Sequence, residues 1–198
     1  RGLLHPSRTE GGMRLYTDRE MKYQFNDAGC KAVVILANFA QNLERIRNET
    51  KIEHVIITEL GDLFPFPKSL IVNSVIKYVK KMVPAYNLPD AIPFSAALKR
   101  GERQTRKHVE VTLDDIAFLQ YTGGTTGISK GAMLTNRNIA ANMEQIYQWI
   151  LPRLKAGEEV AVAPLPMYHI FCLTVHAFAL VQLGAENVLV TNPRDFPA

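Results

Sequence analysis

Ten consecutive residues, Thr122-Gly123-Gly124-Thr125-Thr126-Gly127-Ile128-Ser129-Lys130-Gly131, contain four glycines, three threonines, a serine and a lysine. Glycines admit positive φ, so successive amides can turn toward one anion. The hydroxyls add donors and the lysine adds a fixed positive charge. Such a segment is suited to cradling phosphate oxygens. The Walker A pattern needs a glycine just before the lysine and a Ser or Thr after it; Ser129 and Gly131 break it on both sides. Gly127-Ile128-Ser129-Lys130-Gly131 does satisfy the nucleophile-elbow spacing, which would make Ser129 a hydrolase nucleophile. An elbow runs from strand through sharp turn to helix, however, and Ala132-Met133-Leu134-Thr135 reads as a returning strand. A second constellation, His169, Cys172 and His176, falls at i, i+3 and i+7 on one helical face, as in a soft-metal site. No further Cys/His cluster accompanies it, and Phe171, Leu173, Val175 and Phe178 around it are apolar. The three read as polar residues on a buried helix, and no metal is assigned.

These residues need elements to hold them. The strand Ile116–Tyr121 feeds the glycine-rich segment, and a helix begins at about Thr135. Upstream, Thr17-Asp18-Arg19-Glu20 has capping-box spacing for a helix that ends at Gly29. Ala32–Leu36 and His54–Thr58 read as strands, with a helix over Asn38–Asn48 between them. Such apolar runs alternating with helical patterns predict an α/β fold, with a mostly parallel sheet covered by helices. A helix over Pro67–Val83 is expected to bury Val72, Val75, Ile76, Val79 and Val83. Its other face carries Asn73, Lys77, Lys80 and Lys81, which is either a solvated basic face or a contact for anionic lipid. Residues 84–110 read as an irregular connection with a short helix around Phe94–Lys99. Val160–Ala185 contains no Asp, Glu, Lys or Arg, but Pro164 and Pro166 near its start favour a strand and loop leading to a buried helix over a membrane span.

Composition narrows the classes. With 198 residues, 47% hydrophobic and 21% charged, the chain can build a core. Its net charge of +4 comes without any nucleic-acid-binding spacing. Two cysteines, Cys30 and Cys172, fit a reducing compartment, and Arg1–Gly12 has no apolar run of the secretory kind.

Tyr121 to Gly127, with Lys130-Gly131-Ala132-Met133-Leu134-Thr135 and Arg137-Asn138, closely resembles the bacterial long-chain fatty-acid–CoA ligases of the adenylate-forming superfamily. Pro164-Leu165-Pro166-Met167-Tyr168-His169-Ile170-Phe171 is similar to that family's segment after the next strand. Leu15–Glu20 and Asn26-Asp27 agree as well. The resemblance covers residues 15–198, as part of the family's large N-terminal domain; residues 1–14 do not match and carry no assigned function.

The resemblance implies a two-step reaction. Fatty acid and ATP give acyl-AMP and pyrophosphate, and coenzyme A then takes the acyl group. Thr122, Gly123, Gly124, Thr125, Thr126, Gly127, Ile128, Ser129, Lys130 and Gly131 would hold the β- and γ-phosphates, with Thr125 and Thr126 as side-chain donors. His169 would lie at the acyl-carboxylate end. Ser129 stands where the family often has Pro or Ala, and Asn136 where it commonly has His. The Mg²⁺ ligand, the adenine and ribose contacts and the adenylation lysine of the family are expected beyond Ala198, so the fragment alone is expected to be inactive. Cytoplasmic placement is implied, with Lys77, Lys80 and Lys81 offering peripheral contact on the inner face of the membrane. A non-catalytic nucleotide- or phosphate-binding module and a hydrolase using Ser129 stand as alternatives.

Overall fold

The computed structural model describes residues 17–122 and 129–190. The chain divides into two compact units, one ending at Val109 and the other beginning at Glu110.

In the first unit, helix α1 (Asp18–Asp27) starts on a reciprocal cap. The Glu20 amide donates to Thr17 Oγ1 at 3.3 Å, and the Thr17 amide donates to the Glu20 carboxylate at 2.9 Å. The helix stops at Gly29, whose φ of +59° lets the Cys30 amide reach back to the Phe25 carbonyl at 2.9 Å. Strand β1 (Ala32–Leu36) follows, then α2 (Ala40–Ile46) between 3₁₀ turns, then β2 (His54–Thr58). The two strands pair in parallel with Val33 opposite Val55. Phe25, Val33, Ile35, Leu43, Ile46 and Val55 form the core between them and the helices.

Two expectations are revised here. The helix over 67–83 is α-helical only as α3 (Lys68–Ser74), and it continues as a π-helical turn over Val75–Val79. Lys80 caps it and Lys81 has φ +49°, so Lys81 lies beyond the helix and not on a shared face with Lys77. The buried side also differs. Val75 and Val79 are exposed, whereas Ser69, Val72, Asn73 and Ile76 turn inward. The physical reason is the polar turn after β2. The Asp62 carboxylate accepts from the Glu59 amide, the Thr58 hydroxyl and the Asn73 amide group, and Asn73 Oδ1 accepts from the Gly61 amide at 2.7 Å. Asn73 is thereby drawn inward and sets the helix's rotation. Residues 84–110 are not wholly irregular, since β3 (Ile92–Pro93) adds to β2 in parallel and α4 (Phe94–Glu102) follows it.

In the second unit, β4 (Ile116–Thr122) and β5 (Lys130–Thr135) form an antiparallel hairpin. Helix α5 (Asn136–Ile150) follows directly. Strands β6 (Val160–Ala163) and β7 (Glu186–Leu189) pair in parallel. Their crossover is one helical stretch, 170–183: α6 (Ile170–Cys172), a π-helical body over Leu173–Leu180 and α7 (Val181–Leu183). Gly184 ends it at φ +78°. Parallel pairing therefore predominates in an α/β chain, though spread over three small sheets among the described residues. Among those residues no helix is long and apolar enough to cross a membrane.

Candidate functional site

The glycine-rich segment is the connection of the β4–β5 hairpin. Residues 123–128, including Thr125 and Thr126, lie outside the described residues; Thr122, Ser129, Lys130 and Gly131 lie within them. Thr122 pairs with Lys130 and Tyr121 with Gly131. The chain thus enters and leaves the segment at one point, where Thr122 and Lys130 are both exposed. Ser129 Oγ donates to the Thr122 carbonyl at 3.0 Å and closes this neck. Its one proton is thereby committed. Lys130 carries into β5 rather than a helix, so the strand–turn–helix setting of a nucleophile elbow is absent at Ser129.

Gly131 has a second reason to be glycine, which composition did not reveal. A Cβ there would lie 3.0 Å from Cζ and 3.1 Å from Cε2 of Tyr121, so the buried phenol ring occupies the space above it. Cross-strand pairing of an aromatic residue with glycine was legible only once the hairpin register was known.

The start of α5 is fixed to the segment before β4. Thr135 and Asn138 cap reciprocally, with the Thr135 amide on Asn138 Oδ1 at 3.0 Å and the Asn138 amide on Thr135 Oγ1 at 3.2 Å. The Asn136 side chain donates to the Thr112 carbonyl at 2.9 Å, and its amide donates to the Asp115 carbonyl at 3.0 Å. Arg137 grips Asp114 Oδ1 through Nε and Nη2 at 3.0 and 2.9 Å. Asn136, left without a role by the sequence, therefore holds the hairpin's far end to the 112–115 turn.

His169 is half-buried at the N-terminus of the 170–183 helical stretch. The turn Pro166–His169 closes with the His169 amide on the Pro166 carbonyl at 2.8 Å. Its Nδ1 accepts the Phe171 amide at 3.3 Å, as an N-cap. A neutral ring with that acceptor carries its proton on Nε2. The other two residues of its helical face have their own partners. Cys172 Sγ donates to the Leu165 carbonyl at 3.2 Å. His176 Nδ1 meets Asn187 Oδ1 at 2.8 Å, while Asn187 returns a bond to the His176 carbonyl. Burial pushes the Cys172 thiol up from its ordinary range. The same helical stretch packs on the strand that leads into the loop, with the Phe118 and Phe178 rings 5.9 Å apart. Tyr147 of α5 donates to the Ala179 carbonyl of the π-helical body at 3.0 Å. One unit thus carries both the neck of the loop and the His169 block.

The adenylation domain of a carboxylate reductase from Mycobacterium chelonae shares this architecture, with a TM-score of 0.61 at 16% identity over 90% of this chain and 27% of that one. The fold is accordingly that of adenylate-forming enzyme domains. The AMP-binding enzyme family matches residues 13–198, and the chain belongs to it. The long-chain-fatty-acid–CoA ligase of Salmonella typhimurium is 50% identical over 183 residues, 92% of this chain. That of Haemophilus influenzae is 45% identical over 184 residues. The chain spans about a third of the length of these curated relatives.

Proposed function

We propose that this chain is the phosphate-loop-bearing part of an ATP-dependent long-chain fatty acid–CoA ligase, an acid–thiol ligase of the acyl-CoA synthetase type. The observation that carries the reading is the 50% identity to the Salmonella ligase across nearly the whole chain. In the first step a carboxylate oxygen of the fatty acid attacks the α-phosphorus of ATP, and pyrophosphate leaves with the bonding electrons. In the second, the thiol of coenzyme A displaces AMP from the acyl carbon. The segment from Thr122 to Gly131 would hold the departing pyrophosphate, with Thr125 and Thr126 donating hydroxyls and Lys130 offsetting charge that develops as the bond breaks. Ser129 would contribute its amide, because its hydroxyl closes the neck. His169 would present Nε2–H to an oxygen of the acyl carboxylate or α-phosphate. The Mg²⁺ that accompanies ATP neutralises phosphate charge, and its protein ligand is expected elsewhere in the complete protein. Peripheral contact with an anionic leaflet through Lys77, Lys80 and Lys81 belongs to the same reading.

The test is a pair of half-reactions on the complete protein that carries this chain. Thr125→Ala with Thr126→Ala should slow acyl-AMP formation about 100- to 1000-fold. Thioester formation from supplied acyl-AMP should be nearly unchanged, because pyrophosphate has already left. Equal slowing of both halves would contradict the assigned role. ATP binding without any acyl-AMP in the unsubstituted protein would favour the non-catalytic module. The chain of 198 residues by itself should make no acyl-CoA.

A further inference from the structure

The turn that carries His169 is held at both of its ends by the helical stretch that follows it. Residues 166–169 close through the His169 amide on the Pro166 carbonyl at 2.8 Å. The carbonyls of Leu165 and Ile170 flank that turn, and each takes a side-chain proton from the helix. Cys172 Sγ donates to the Leu165 carbonyl at 3.2 Å, and Thr174 Oγ1 donates to the Ile170 carbonyl at 2.8 Å. Thr174 makes a second, longer contact with the Phe171 carbonyl at 3.3 Å. Cys172 and Thr174 are buried, at 0% and 7% exposure, so neither is placed to touch a ligand itself.

The two bonds differ in kind. A helical threonine that bonds back to the carbonyl four residues earlier competes with the backbone ladder and bends the helix there. At this place the stretch passes from α6 into its π-helical body, which begins at Leu173. Such π-helical turns recur at functional sites. The cysteine bond instead spans seven residues and crosses from the helix back to the loop after β6, so helical periodicity does not produce it. An S–H group is a weak donor, but burial pushes this thiol up from its ordinary range, and the proton stays on sulfur at neutral pH. The cap bond from the Phe171 amide to His169 Nδ1 is long, at 3.3 Å, so on its own it fixes the ring weakly.

We infer that Cys172 and Thr174 are positioning residues for His169, pinning the turn that aims its Nε2–H, which rests on the role proposed above for that ring. A reacting group must be held to a fraction of an ångström, and side chains behind it supply that precision. Here the supporting groups hold the approach to the turn through Leu165 and the exit through Ile170.

The experiment follows acyl-AMP formation from ATP and palmitate by the complete protein in a single turnover, with both substrates saturating. Valine has the shape of threonine and alanine lacks only the sulfur of cysteine, so Cys172→Ala with Thr174→Val removes the donors and little packing. This pair should slow the step about 10- to 100-fold, as expected for a displacement near 1 Å, with KM for ATP nearly unchanged. Cys172→Ser with Thr174→Ser keeps both donors and should keep most of the rate. In a His169→Ala background the Ala/Val pair should cost less than about twofold more, because groups acting through one residue are not additive. Amide exchange at His169 and Phe171 should quicken in the Ala/Val variant, with exchange along β6 and β7 unchanged as the folding control. The single variants Cys172→Ala and Thr174→Val are read in the same way, so that misfolding of the pair does not remove the test. Equal slowing with and without His169 would show a merely structural role and overturn the inference. Full rate in the Ala/Val variant, with His169→Ala slow, would overturn the positioning and leave the role of His169 standing. An unaltered rate in His169→Ala would remove that role and the positioning with it.

Discussion

Replacing Gly131 by alanine puts a methyl carbon where the Tyr121 ring now lies. The ideal Cβ would meet three ring atoms at 3.0, 3.1 and 3.3 Å, each inside the ordinary contact distance of about 3.5 to 4 Å. Relief needs several tenths of an ångström from a ring that is only 4% exposed and sits directly across the hairpin ladder. Overpacking of a well-filled site costs about 1 to 3 kcal/mol. Because the complete protein need not unfold in one step, local opening of the hairpin is the appropriate quantity. A loss of about 1 to 3 kcal/mol corresponds to amide exchange about 5- to 150-fold faster along β4 and β5. The cause can be isolated by a cycle with Tyr121→Leu, which removes the ring atoms in question. If the ring is the obstacle, the double variant should be more stable than the sum of the two single effects by about 1 kcal/mol or more. Additivity within about 0.5 kcal/mol, or an alanine variant with unaltered exchange, would refute the packing argument and return Gly131 to a purely backbone role.

Gly61→Ala should be more damaging, about 2 to 3 kcal/mol by thermal melting, because the new Cβ would lie 2.8 Å from the Ser69 backbone carbonyl as well as 2.6 Å from Asn73 Oδ1. Asn136→Ala should cost about 1 kcal/mol and accelerate exchange in 112–115, where its partner carbonyl lies; normal protection there would remove its fastening role. Burial pushes both thiols, Cys30 and Cys172, above their ordinary range. The folded state therefore keeps its thiol protons when the unfolded state has lost them, so stability is full below the ordinary thiol range and falls as pH rises through it. A denaturant midpoint that rose between pH 8 and 10 would contradict this, as would rapid labelling of either cysteine by a disulfide reagent in the native protein at pH 7.5.

Local signals carried most of the fold. The Thr17/Glu20 cap, the Gly29 stop and strands β1 and β2 are each written in a few neighbouring residues, and each occurs where the residue types place it. The returning strand after the glycine-rich segment was likewise legible from Ala132 to Thr135, although it begins earlier, at Lys130. The failures share a cause. Strand β3 is two residues long and exists through its ladder with Ile56 and Ile57, so it has no period of its own to detect. The rotation of α3 is set by Asn73 reaching Asp62 and Gly61, contacts 11 and 12 residues away that no helical wheel contains. In the candidate site, the glycine-rich composition announced the loop, but the Ser129 closure and the Tyr121–Gly131 contact depend on strand register.

Two of the three sheets have only two strands among the described residues, β4 with β5 and β6 with β7. A two-stranded sheet is marginal when isolated, and its open edges offer unpaired backbone groups to any other chain. On β6 and β7, Val160, Val162, Val188 and Leu189 are exposed as well. Truncation therefore has asymmetric consequences. A cut between Val109 and Glu110 falls between the compact units and preserves every strand pair among the described residues. A cut inside the 170–183 crossover strands β6 without its partner, leaving an apolar ribbon able to template its own kind. Pieces made that way should scatter light more steeply with concentration than pieces cut at the unit boundary, in which β6 and β7 remain paired.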